Sequence, residues 1–404
     1  MDHYIRKDCR LCKSQHLESV LALNDSPLCD AYVLEPKQQG CYPLGLKMCL
    51  DCSFVQLNTV VDPEVIYRDY IYVTTSSSGL DRHFIKYCKE VCDYLSYSKN
   101  KLVVDIGSND GTLLKHFKQK QHRVTGVEPA FEISNKANTE GIKTYPHFFD
   151  KELAERMVSE DGKADLITVN NLFANVDDLH AFMQAVDVLL SQDGVLVIES
   201  SYLYKMIGKM VFDFIYHEHI SYLSATPLEA FMKSIDMHLI HIQEVPTKGG
   251  SLRYYCARSG SEWTVDASVE KILRSELSGE ELRTIFQQYS ESIENQKMRM
   301  HNYLQTFDGK KVVGYGASAT STTLISHFGL QDHLNYLVDD NPGKIDTYSP
   351  GYHIPVYSPE KLRQDTPPDV LIILAWRFKD EILNKIGDLP CKVIVPLPAF
   401  KELK

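Results

Sequence analysis

The sequence predicts an α/β protein in which a small cysteine-rich N-terminal domain precedes two Rossmann-like domains. Two Cys-x-x-Cys pairs occupy the N-terminal region, and apolar strands alternate with helical stretches from about residue 80 to 260. The alternation starts again at Lys311, after a polar, Glu-rich stretch of helical period over 266–307 that predicts one or two bridging helices. The expected domains have these boundaries: 1–75, 76–260 and 261–404.

Length and composition limit the classes of function. The chain has 404 residues, of which 44% are hydrophobic and 24% charged, as in ordinary globular proteins. Its formal charge of -11 repels phosphate backbones, so we expect no nucleic-acid partner. The sequence has no apolar run near the roughly 18 residues of a membrane span, and no apolar secretory segment. These features predict a cytoplasmic protein without a membrane partner. The oligomeric state stays open, and a monomer is compatible with the sequence.

The spacing of the cysteines predicts a structural zinc site. Each Cys-x-x-Cys pair turns two thiolates towards one point, and four thiolates complete a tetrahedral zinc shell with no position open to water. The alternatives are two independent reduced pairs, a redox-active pair, or competition from Cys41 as a ligand. Disulfides are not expected, because a chain of this length does not need them. The expected zinc ligands are Cys9, Cys12, Cys49 and Cys52.

A glycine turn after a buried strand predicts a ligand site. The run from Lys101 to Leu114 is typical of a strand, a turn containing Gly107 and Gly111, and the start of a helix. Backbone N–H groups at the start of a helix favour an anion. Seventeen residues after Gly111, a second strand ends at Glu128, whose carboxylate is expected to bind two ribose hydroxyls.

This arrangement suits NAD or S-adenosylmethionine, and the glycine spacing favours the second. The pattern D-x-G-x-x-x-G lacks the G-x-G-x-x-G that approaches a pyrophosphate, whereas S-adenosylmethionine carries a carboxylate instead. A later strand over 165–171 places its polar end at the same edge of the sheet, and 193–199 is a further turn and strand. The alternative is a glycine turn with structural acids. The expected cofactor-binding residues are Asp105, Gly107, Ser108, Asn109, Asp110, Gly111, Glu128, Asn170 and Asn171.

The run Tyr216-His217-Glu218-His219 is a candidate centre for proton transfer. A metal site is disfavoured, because H-E-H lacks the four-residue spacing that puts two histidines on one helix face. Histidine titrates near neutrality and can serve as an unprotonated base. Glu218 is expected to orient an imidazole or stabilise its protonated form, and Tyr216 to donate to a developing oxyanion. The alternative is a structural turn rich in histidine.

Two further glycine motifs are candidate substrate loops. In the run Lys248–Arg253 the paired glycines allow close backbone approach, and Arg253 either meets a phosphate or pairs with a carboxylate. The run Gly314–Ala319 approximates G-x-G-x-x-A after a strand, and Asp339 lies near the expected place of a ribose-binding acid. This second motif makes an NAD-dependent nucleotide-sugar oxidoreductase the main alternative, although no Tyr–Lys or cysteine pattern for hydride chemistry lies near it.

The chain resembles the S-adenosylmethionine-dependent sugar C-methyltransferases that act on nucleotide-linked 4-keto-6-deoxysugars. The matching motifs follow in order through almost the whole chain: CRLC, CLDC, DYIYVTTSSS, VVDIGSNDGTLL, NNLFANVDDL, DGVLVIE, FDFIYHEHISYLS, KGGSLR, YGASATSTTL, VDDNPGK, SPGYHIPV and LAWRF. The order of the cysteine pairs, YHEH and GGSLR is the most specific part. The resemblance implies a class I methyltransferase fold for the central domain, and a C-terminal domain that mainly holds the nucleotide of the substrate.

The resemblance also implies residue roles. His219 is the expected base that removes the C3 proton of the sugar, and His217 is next in line. A tyrosine of DYIYVTTSSS is expected to reach the site, either Tyr70 or Tyr72, with Tyr70 favoured. The expected catalytic residues are His219, Tyr216, Glu218, Tyr70, Tyr72 and His217. The expected substrate-binding residues are Gly249, Gly250, Ser251, Arg253, Gly316, Ala317, Ser318, Asp339 and Arg377.

Two departures from the family pattern fall in the C-terminal domain. Where the family commonly has the lysine of G-A-x-A-K-G-N-T, this chain has Thr320, and where asparagine usually follows L-A-W it has Arg377, a replacement cation. The nucleotide and the sugar therefore stay open. The expected reaction removes a proton beside the C4 ketone, and the enolate attacks the sulfonium methyl group. A zinc-ribbon interaction protein without activity is the remaining alternative, and the intact YHEH run argues against it.

Overall fold

The structure, a computed structural model, describes residues 2–67, 79–364 and 366–404. Tyr70 and Tyr72, two of the expected catalytic residues, lie outside the described residues. Within the described ranges the chain forms sheets of four, seven and six strands and a further two-stranded pair. No helix in these ranges combines the length and the apolar character that a membrane crossing requires.

The elements follow the predicted alternation of strands and helices. In chain order the strands are β1 (His3–Ile5), β2 (Leu17–Pro27), β3 (Cys41–Cys49), β4 (Val55–Leu57), β5 (Thr59–Val61), β6 (Leu102–Ile106), β7 (Arg123–Val127), β8 (Thr144–Tyr145), β9 (Ala164–Asn170), β10 (Leu190–Ser201), β11 (Ser221–Tyr222), β12 (Met237–Val245), β13 (Ser251–Arg258), β14 (Val312–Tyr315), β15 (Tyr336–Val338), β16 (Val356–Tyr357), β17 (Val370–Ile373), β18 (Lys392–Val395) and β19 (Lys401–Glu402). The helices are α1 (Pro63–Tyr67), α2 (Leu80–Tyr94), α3 (Thr112–Gln119), α4 (Phe131–Thr139), α5 (Lys151–Asp161), α6 (Leu179–Leu189), α7 (Leu203–Gly208), α8 (Ala225–Ser234), α9 (Ala267–Ser275), α10 (Gly279–Leu304), α11 (Ala319–Phe328), α12 (Lys361–Gln364) and α13 (Lys379–Ile386).

The N-terminal sheet contains one strand from the middle of the chain. Its order is β11-β4-β3-β2, and all of its strand pairs are antiparallel. Strand β4 is fully buried at all three of its residues. Strand β11 follows the YHEH run and extends this sheet by pairing Ser221 with Gln56 and Tyr222 with Val55. The segment after the predicted base is therefore part of the cysteine-rich region's sheet.

The seven-stranded sheet carries the first glycine turn and contains one reversed strand. Its order is β12-β13-β10-β9-β6-β7-β8. Strand β6 pairs in parallel with β7 and β9, and β9 pairs in parallel with β10, which confirms the α/β prediction. Strand β13 runs antiparallel to both of its neighbours, so this sheet is mixed and not purely parallel. The link from β12 to β13 is short, and a short link suits an antiparallel pair because a parallel pair needs a crossover.

Helices α9 and α10 confirm the predicted bridge to the last sheet. Helix α10 buries Leu282, Phe286, Tyr289 and Ile293, at the spacing of one helix face. The six-stranded sheet that follows has the order β16-β15-β14-β17-β18-β19 and is parallel except for β19. It therefore repeats the strand-turn-helix style of the central sheet, as predicted.

Helix α11 joins three parts of the chain through hydroxyl side chains. Thr322 Oγ1 donates to the carbonyl of Cys29 at 3.0 Å, and Thr323 Oγ1 donates to the carbonyl of Ile215 at 3.0 Å. All of α11 after its first residue is buried, including Thr320, which stands where the family has lysine. Small hydroxyl residues can satisfy their polar groups in such a position, because each finds a backbone acceptor across an interface.

Candidate active site and zinc-binding site

The four predicted zinc ligands form one cluster. Their sulfur atoms all lie within 4.8 Å of one another, with Cys9 Sγ 3.6 Å from Cys52 Sγ and Cys12 Sγ 3.5 Å from Cys49 Sγ. Zinc–sulfur bonds of about 2.3 Å in a tetrahedron place the sulfurs about 3.8 Å apart, so these residues fit the ion. The hydrogen bond with Cys52 lowers the pKa of Cys9, which favours the thiolate that binds zinc. Among the described residues, Cys41 is not part of the cluster.

The first glycine turn lies at the carboxyl end of β6, as predicted. Gly107 has φ +77° and Gly111 has φ +74°, in the left-handed region that glycine adopts without strain. A Cβ on Gly107 would meet the side chain of Leu172 at 3.0 Å, and a Cβ on Gly111 would meet that of Ile142 at 3.1 Å. The space beside Gly111 is therefore occupied by the side chain of Ile142, and the expected contact of this glycine with a cofactor stays a prediction.

The acids of this turn hold its shape. Asp110 Oδ1 accepts hydrogen bonds from Thr112 Oγ1 at 2.5 Å and from Thr112 N at 3.3 Å, at the start of α3. The Glu128 carboxylate accepts from Asn109 N at 3.1 Å and from Ala130 N at 2.9 Å. Each carboxylate oxygen has two lone pairs, so acceptor capacity is left on Glu128 after these bonds. The ribose contact expected of Glu128 stays a prediction.

Two buried polar atoms beside the turn fit a polar ligand. In the part of the chain that the structure describes, Ser108 Oγ and Asn170 Oδ1 are buried and have no hydrogen-bond partner. Asn170 Nδ2 donates to Asp105 Oδ1 at 3.3 Å. Buried polar atoms are nearly always satisfied, so these two suit a ligand with its own donors. Together with the N–H groups at the start of α3, the residues present fit S-adenosylmethionine, which has amino, carboxylate and ribose groups.

The carboxyl group of Asp105 is buried and has a raised pKa. Burial raises its pKa to about 7, and hydrogen bonds from Thr168 and Asn170 oppose that shift. Thr168 Oγ1 donates to Asp105 Oδ1 at 2.6 Å. A nearby cation, such as the ammonium group of S-adenosylmethionine, would favour the ionised carboxylate.

The turn around His219 fixes its tautomer. His219 Nδ1 lies 3.3 Å from the carbonyl oxygen of Phe214, and Nε2 lies 3.3 Å from the Tyr216 hydroxyl. Because a carbonyl only accepts, Nδ1 carries the proton and Nε2 is the basic nitrogen. The Phe214 carbonyl thus orients the imidazole, a role the sequence assigned to Glu218. Burial lowers the pKa of His219 to about 3, and Lys248 adds to the shift, so the ring is neutral at physiological pH.

A small cavity joins His219 to the carboxyl ends of the central strands. Its volume is about 20 Å³. Asn171, which follows β9, and His219 both line it, so a predicted cofactor residue and the predicted base meet at one site. The lining residues are Asn171, Ala174, Ser200, Ser201, Tyr202, Leu203, Met206, Phe214, His219, Ser221 and Tyr222.

Glu218 and Lys248 give this region opposite charges with shifted pKa values. Burial raises the pKa of Glu218 to about 7, Asp30 adds to the shift, and Lys248 and Lys344 oppose it. Desolvation lowers the pKa of Lys248 to about 8, although the residue keeps solvent contact, and Glu218 and Glu199 oppose that shift. Lys248 also has φ +50°, which is uncommon for lysine, and no role was predicted for it from the sequence. Shifts of this direction in both groups are typical of residues at active sites.

The two histidines of YHEH have different surroundings. His217 Nε2 lies 3.2 Å from the carbonyl oxygen of Pro43, and its ring meets that of Tyr42 edge-on at 5.6 Å. His217 is 2% exposed, and burial lowers its pKa to about 4. The run forms a turn closed by His219 N donating to the Tyr216 carbonyl at 2.9 Å, so the two rings do not share a face as they would on a strand. These contacts place His217 against the N-terminal sheet, and its place as next in line for the base stays a prediction.

The GGSLR glycines approach protein atoms. Gly249 and Gly250 both have positive φ, and a Cβ on Gly250 would meet the side chain of Lys205 at 2.8 Å. Ser251 is buried and its Oγ donates to the Thr247 carbonyl at 3.1 Å. Gly250 therefore packs against α7, and the assignment of Gly249, Gly250 and Ser251 as substrate contacts stays a prediction.

Arg253 pairs with carboxylates inside the protein. Its side chain is fully buried, with Nε 2.9 Å from Glu199 Oε2 and Nη1 3.1 Å from Glu90 Oε2. The guanidinium lies over the ring of Tyr87 at 3.9 Å. These contacts confirm the pairing of Arg253 with carboxylates, and its expected contact with the substrate stays a prediction.

His83, which was not predicted from the sequence, extends the Arg253–Glu199 pair into a network. His83 Nε2, on α2, lies 2.7 Å from Glu199 Oε1. Burial alone would raise the pKa of Glu199, but His83 and Arg253 outweigh it and the pKa is lowered. Glu199 stands opposite Asn170 in the β10–β9 pairing, near the edge that carries the candidate site. The acidic residue at the end of the apolar run DGVLVIE could have indicated this network, because a buried carboxylate needs charged or hydrogen-bonding partners.

The residues of the second glycine motif make their contacts with one another and with neighbouring protein atoms. Gly316 has φ +116°, and a Cβ there would meet Ala375 Cβ at 2.7 Å. Asp339 Oδ2 accepts from Ala317 N at 2.6 Å, and Ser318 caps the start of α11. The predicted residues do lie together at one loop. Their internal contacts account for the motif without a ligand, and contact with the substrate stays a prediction.

Arg377 reaches from the C-terminal region to the turn that holds His219. Its Nη1 lies 3.6 Å from Asp213 Oδ2, and the guanidinium lies over the ring of Phe214 at 4.2 Å. Asp213 Oδ2 also accepts from Trp376 Nε1 at 2.9 Å. Arg377 therefore braces one wall of the His219 cavity, and its expected contact with a nucleotide stays a prediction.

Three family models match the chain in series. A putative zinc binding domain matches residues 9–67, a methyltransferase domain matches 80–242, and a C-methyltransferase C-terminal domain matches 246–398. The first match contains the four-cysteine cluster, the second contains the glycine turn and His219, and the third contains the second glycine motif.

A curated C-methyltransferase and several solved structures are similar to the chain. The C-methyltransferase NovU of Streptomyces niveus is 28% identical over 401 residues, which cover 97% of this chain and 95% of NovU. Among solved structures, magnesium protoporphyrin IX methyltransferase of Synechocystis is 14% identical with a TM-score of 0.36, covering 50% of this chain and 99% of that one. The PH0226 protein of Pyrococcus horikoshii is 15% identical with a TM-score of 0.38, covering 48% and 97%. At these TM-scores the structures add nothing to the family matches.

The matched domains define the class of protein. The chain is an S-adenosylmethionine-dependent C-methyltransferase that carries an N-terminal zinc-binding domain. None of these matches supports the oxidoreductase alternative, whose G-x-G-x-x-A run lies within the residues of the C-methyltransferase C-terminal domain.

Proposed function

We propose that this C-methyltransferase adds a methyl group to C3 of a nucleotide-linked 4-keto-6-deoxysugar, with His219 as the base. The arrangement of His219 carries the proposal. Its neutral imidazole has Nε2 beside the Tyr216 hydroxyl, in a cavity shared with Asn171 at the edge of the methyltransferase sheet. A base next to the expected methyl-donor pocket is what C-methylation of an acidic C–H bond requires.

The chemistry follows from the ketone. A C–H bond beside a carbonyl is acidic because the electron pair left behind delocalises on to the carbonyl oxygen. His219 Nε2 takes the C3 proton, and the Tyr216 hydroxyl is placed to donate to the developing oxyanion. S-adenosylmethionine supplies the electrophilic methyl group to which C3 forms its new bond. Bulk water would return a proton to the enolate, so the reaction requires that water be excluded from the half-buried His219 when the substrate is bound.

The proton then has to leave His219. The lowered pKa of His219 favours release of this proton once it has been taken up. Glu218 is the adjacent residue and has a pKa of about 7, so its carboxylate is suited to accept that proton. This assigns Glu218 the role of proton acceptor in place of the orienting role.

The C-terminal domain is proposed to hold the nucleotide. Gly316, Asp339 and Arg377 lie where the second glycine motif and the His219 turn come together, which supports a long substrate spanning both. Remote binding energy of this kind holds the sugar within reach of the methyl group. We also propose a cytoplasmic location for the enzyme. The proposed domains are residues 1–75, 76–260 and 261–404.

The test is a transfer assay with a matched set of sugars. The enzyme is incubated with S-adenosylmethionine and nucleoside diphosphate-linked 4-keto-6-deoxyhexoses, with the 4-hydroxy sugars of the same configuration as controls. We expect mass spectrometry to show the gain of one methyl group, located at C3, for a keto sugar and not for its 4-hydroxy control. Methylation of the 4-hydroxy sugars, or transfer to oxygen, would contradict the proposed function.

A further inference from the structure

Arg10 links the zinc-binding cluster to the turn that holds His219. It lies between the ligands Cys9 and Cys12, yet its side chain is fully buried. Its Nη1 donates to the carbonyl of Leu57 at 2.7 Å and to the carbonyl of Ile220 at 3.1 Å. Ile220 directly follows His219 in the chain. One guanidinium therefore bonds the backbone beside the proposed base.

Further bonds converge on Ile220. Leu57 N donates to the Ile220 carbonyl at 3.0 Å, so this oxygen accepts from Arg10 and Leu57 together. Ile220 N donates to the carbonyl of Ala174, which lines the His219 cavity, at 2.9 Å. The backbone of Ile220 is thus held from the zinc-binding side and from the methyltransferase side at once. Because Ile220 is covalently bonded to His219, this arrangement restricts where the imidazole can lie.

Asp177, in the region that matches the methyltransferase domain, pairs with the charge of Arg10. Its Nε donates to Asp177 Oδ1 at 3.0 Å. A buried guanidinium stays charged, so a carboxylate partner is needed to offset its lost hydration. Arg10 N also donates to Gln56 Oε1 at 2.9 Å, so both the backbone and the side chain of Arg10 are fixed.

We infer that Arg10 is a positioning residue, which transmits the geometry of the zinc-bound Cys-x-x-Cys knuckle to His219 through the Ile220 carbonyl. The inference rests on the proposed function for the role of His219. Zinc held by Cys9 and Cys12 would fix the backbone from which the Arg10 side chain extends, and would thereby affect turnover beyond its effect on folding.

Arg6 provides a matched control. Its Nη1 donates to Asp177 Oδ1 at 3.0 Å and to the Asp177 carbonyl at 2.9 Å. Arg6 therefore shares the carboxylate with Arg10. Its side-chain hydrogen bonds within the described residues go to Asp8 and Asp177, and none goes to Ile220. Arg6→Gln removes a cation from the same cluster and leaves both bonds to the Ile220 carbonyl in place.

The experiment compares Arg10→Gln with Arg6→Gln in the full-length, zinc-loaded protein. Zinc content is measured first, followed by hydrogen–deuterium exchange of the backbone amides of Leu57 and Ile220. We expect both variants to keep their zinc, and Arg10→Gln alone to exchange these amides about 10- to 100-fold faster, the usual effect of losing a hydrogen bond to a charged group. In the transfer assay we expect Arg10→Gln to lower kcat about 10- to 100-fold with KM nearly unchanged, because the base is misplaced while binding persists.

The outcomes separate the inference from the proposed function. Unchanged amide exchange and unchanged kcat in zinc-loaded Arg10→Gln overturn the positioning role, and equal effects of Arg6→Gln overturn it as well. If the wild-type enzyme methylates none of the keto sugars while the amide exchange still responds to Arg10→Gln, the proposed substrate fails and the structural link stands. If Arg10→Gln loses zinc, the same readings are taken on Arg10→Lys, which keeps the charge beside Asp177 without the planar fork. The inference is then overturned if zinc-loaded Arg10→Lys has the amide exchange rates and the kcat of wild type.

Discussion

His219 shows how a turn decides the chemistry of a single residue. The carbonyl of Phe214 holds the proton on Nδ1, and this leaves Nε2 facing the Tyr216 hydroxyl as the basic nitrogen. The sequence could predict that YHEH carries a base, since histidine titrates near neutrality. It could not predict the tautomer or the different surroundings of His217, because both depend on how the four residues turn in space.

His217 leads to a prediction about pH and stability. Burial holds its pKa at about 4 in the folded protein, against about 6.5 when unfolded. Since the folded state disfavours the protonated ring, the stability that His217 contributes is complete above pH 6.5 and is lost as the pH falls from 6.5 towards 4. Between pH 7 and pH 5, we expect the free energy of unfolding of wild type to fall by roughly 2 kcal/mol more than that of His217→Gln.

The measurement is urea unfolding of both proteins across that pH range. His16→Gln is the control for the loss of an imidazole, because the His16 side chain is 73% exposed. A stability difference between wild type and His217→Gln that does not change with pH would show that the ring is not neutral and buried as described.

At the scale of elements, Glu199 connects one helix and two strands. It extends from β10, and its carboxylate binds His83 of α2 and Arg253 of β13. The order of strands and helices was predictable from apolar runs and glycine turns, because those signals are local. The reversal of β13 and the addition of β11 to the N-terminal sheet were not, because strand pairing between distant segments leaves no local pattern.

Removing the Glu199 charge should therefore loosen several elements together. We expect Glu199→Gln to lower the free energy of unfolding by about 3 kcal/mol, because it leaves the buried Arg253 with less compensating charge. Denaturant unfolding measures this. Asp93→Asn, which breaks an exposed pair with Lys89 on the same helix as His83, should change stability little. Equal stability of Glu199→Gln and wild type would refute the role of the network.

At the scale of the whole molecule, the His219 turn is held from both flanking domains. His217 and β11 dock on the N-terminal sheet, Thr323 of α11 donates to the Ile215 carbonyl, and Arg377 pairs with Asp213. Motifs in the sequence indicated all three domains. The sequence did not show that the His219 turn lies at their junction, since each of these contacts joins residues more than about a hundred positions apart.

The zinc-binding cluster should matter for the whole molecule. We expect Cys49→Ser to lose most of its zinc and to unfold at a lower temperature, because a structural zinc site contributes directly to folding free energy. Cys41→Ser is the matched control, since Cys41 is exposed and lies outside the cluster among the described residues. Metal analysis and thermal unfolding measure both. A zinc-free Cys49→Ser protein with wild-type stability would show that the cluster has no structural role.

The central claim is that His219 removes a proton from the carbon next to the ketone, and proton exchange tests it without methyl transfer. The enzyme is incubated in heavy water with an accepted nucleotide-linked 4-keto-6-deoxysugar and S-adenosylhomocysteine, which occupies the donor pocket and has no methyl group to give. We expect wild type to introduce deuterium at C3, and His219→Ala to do so about 10²- to 10⁴-fold more slowly while still binding S-adenosylhomocysteine. Exchange at the wild-type rate in that variant would contradict the account.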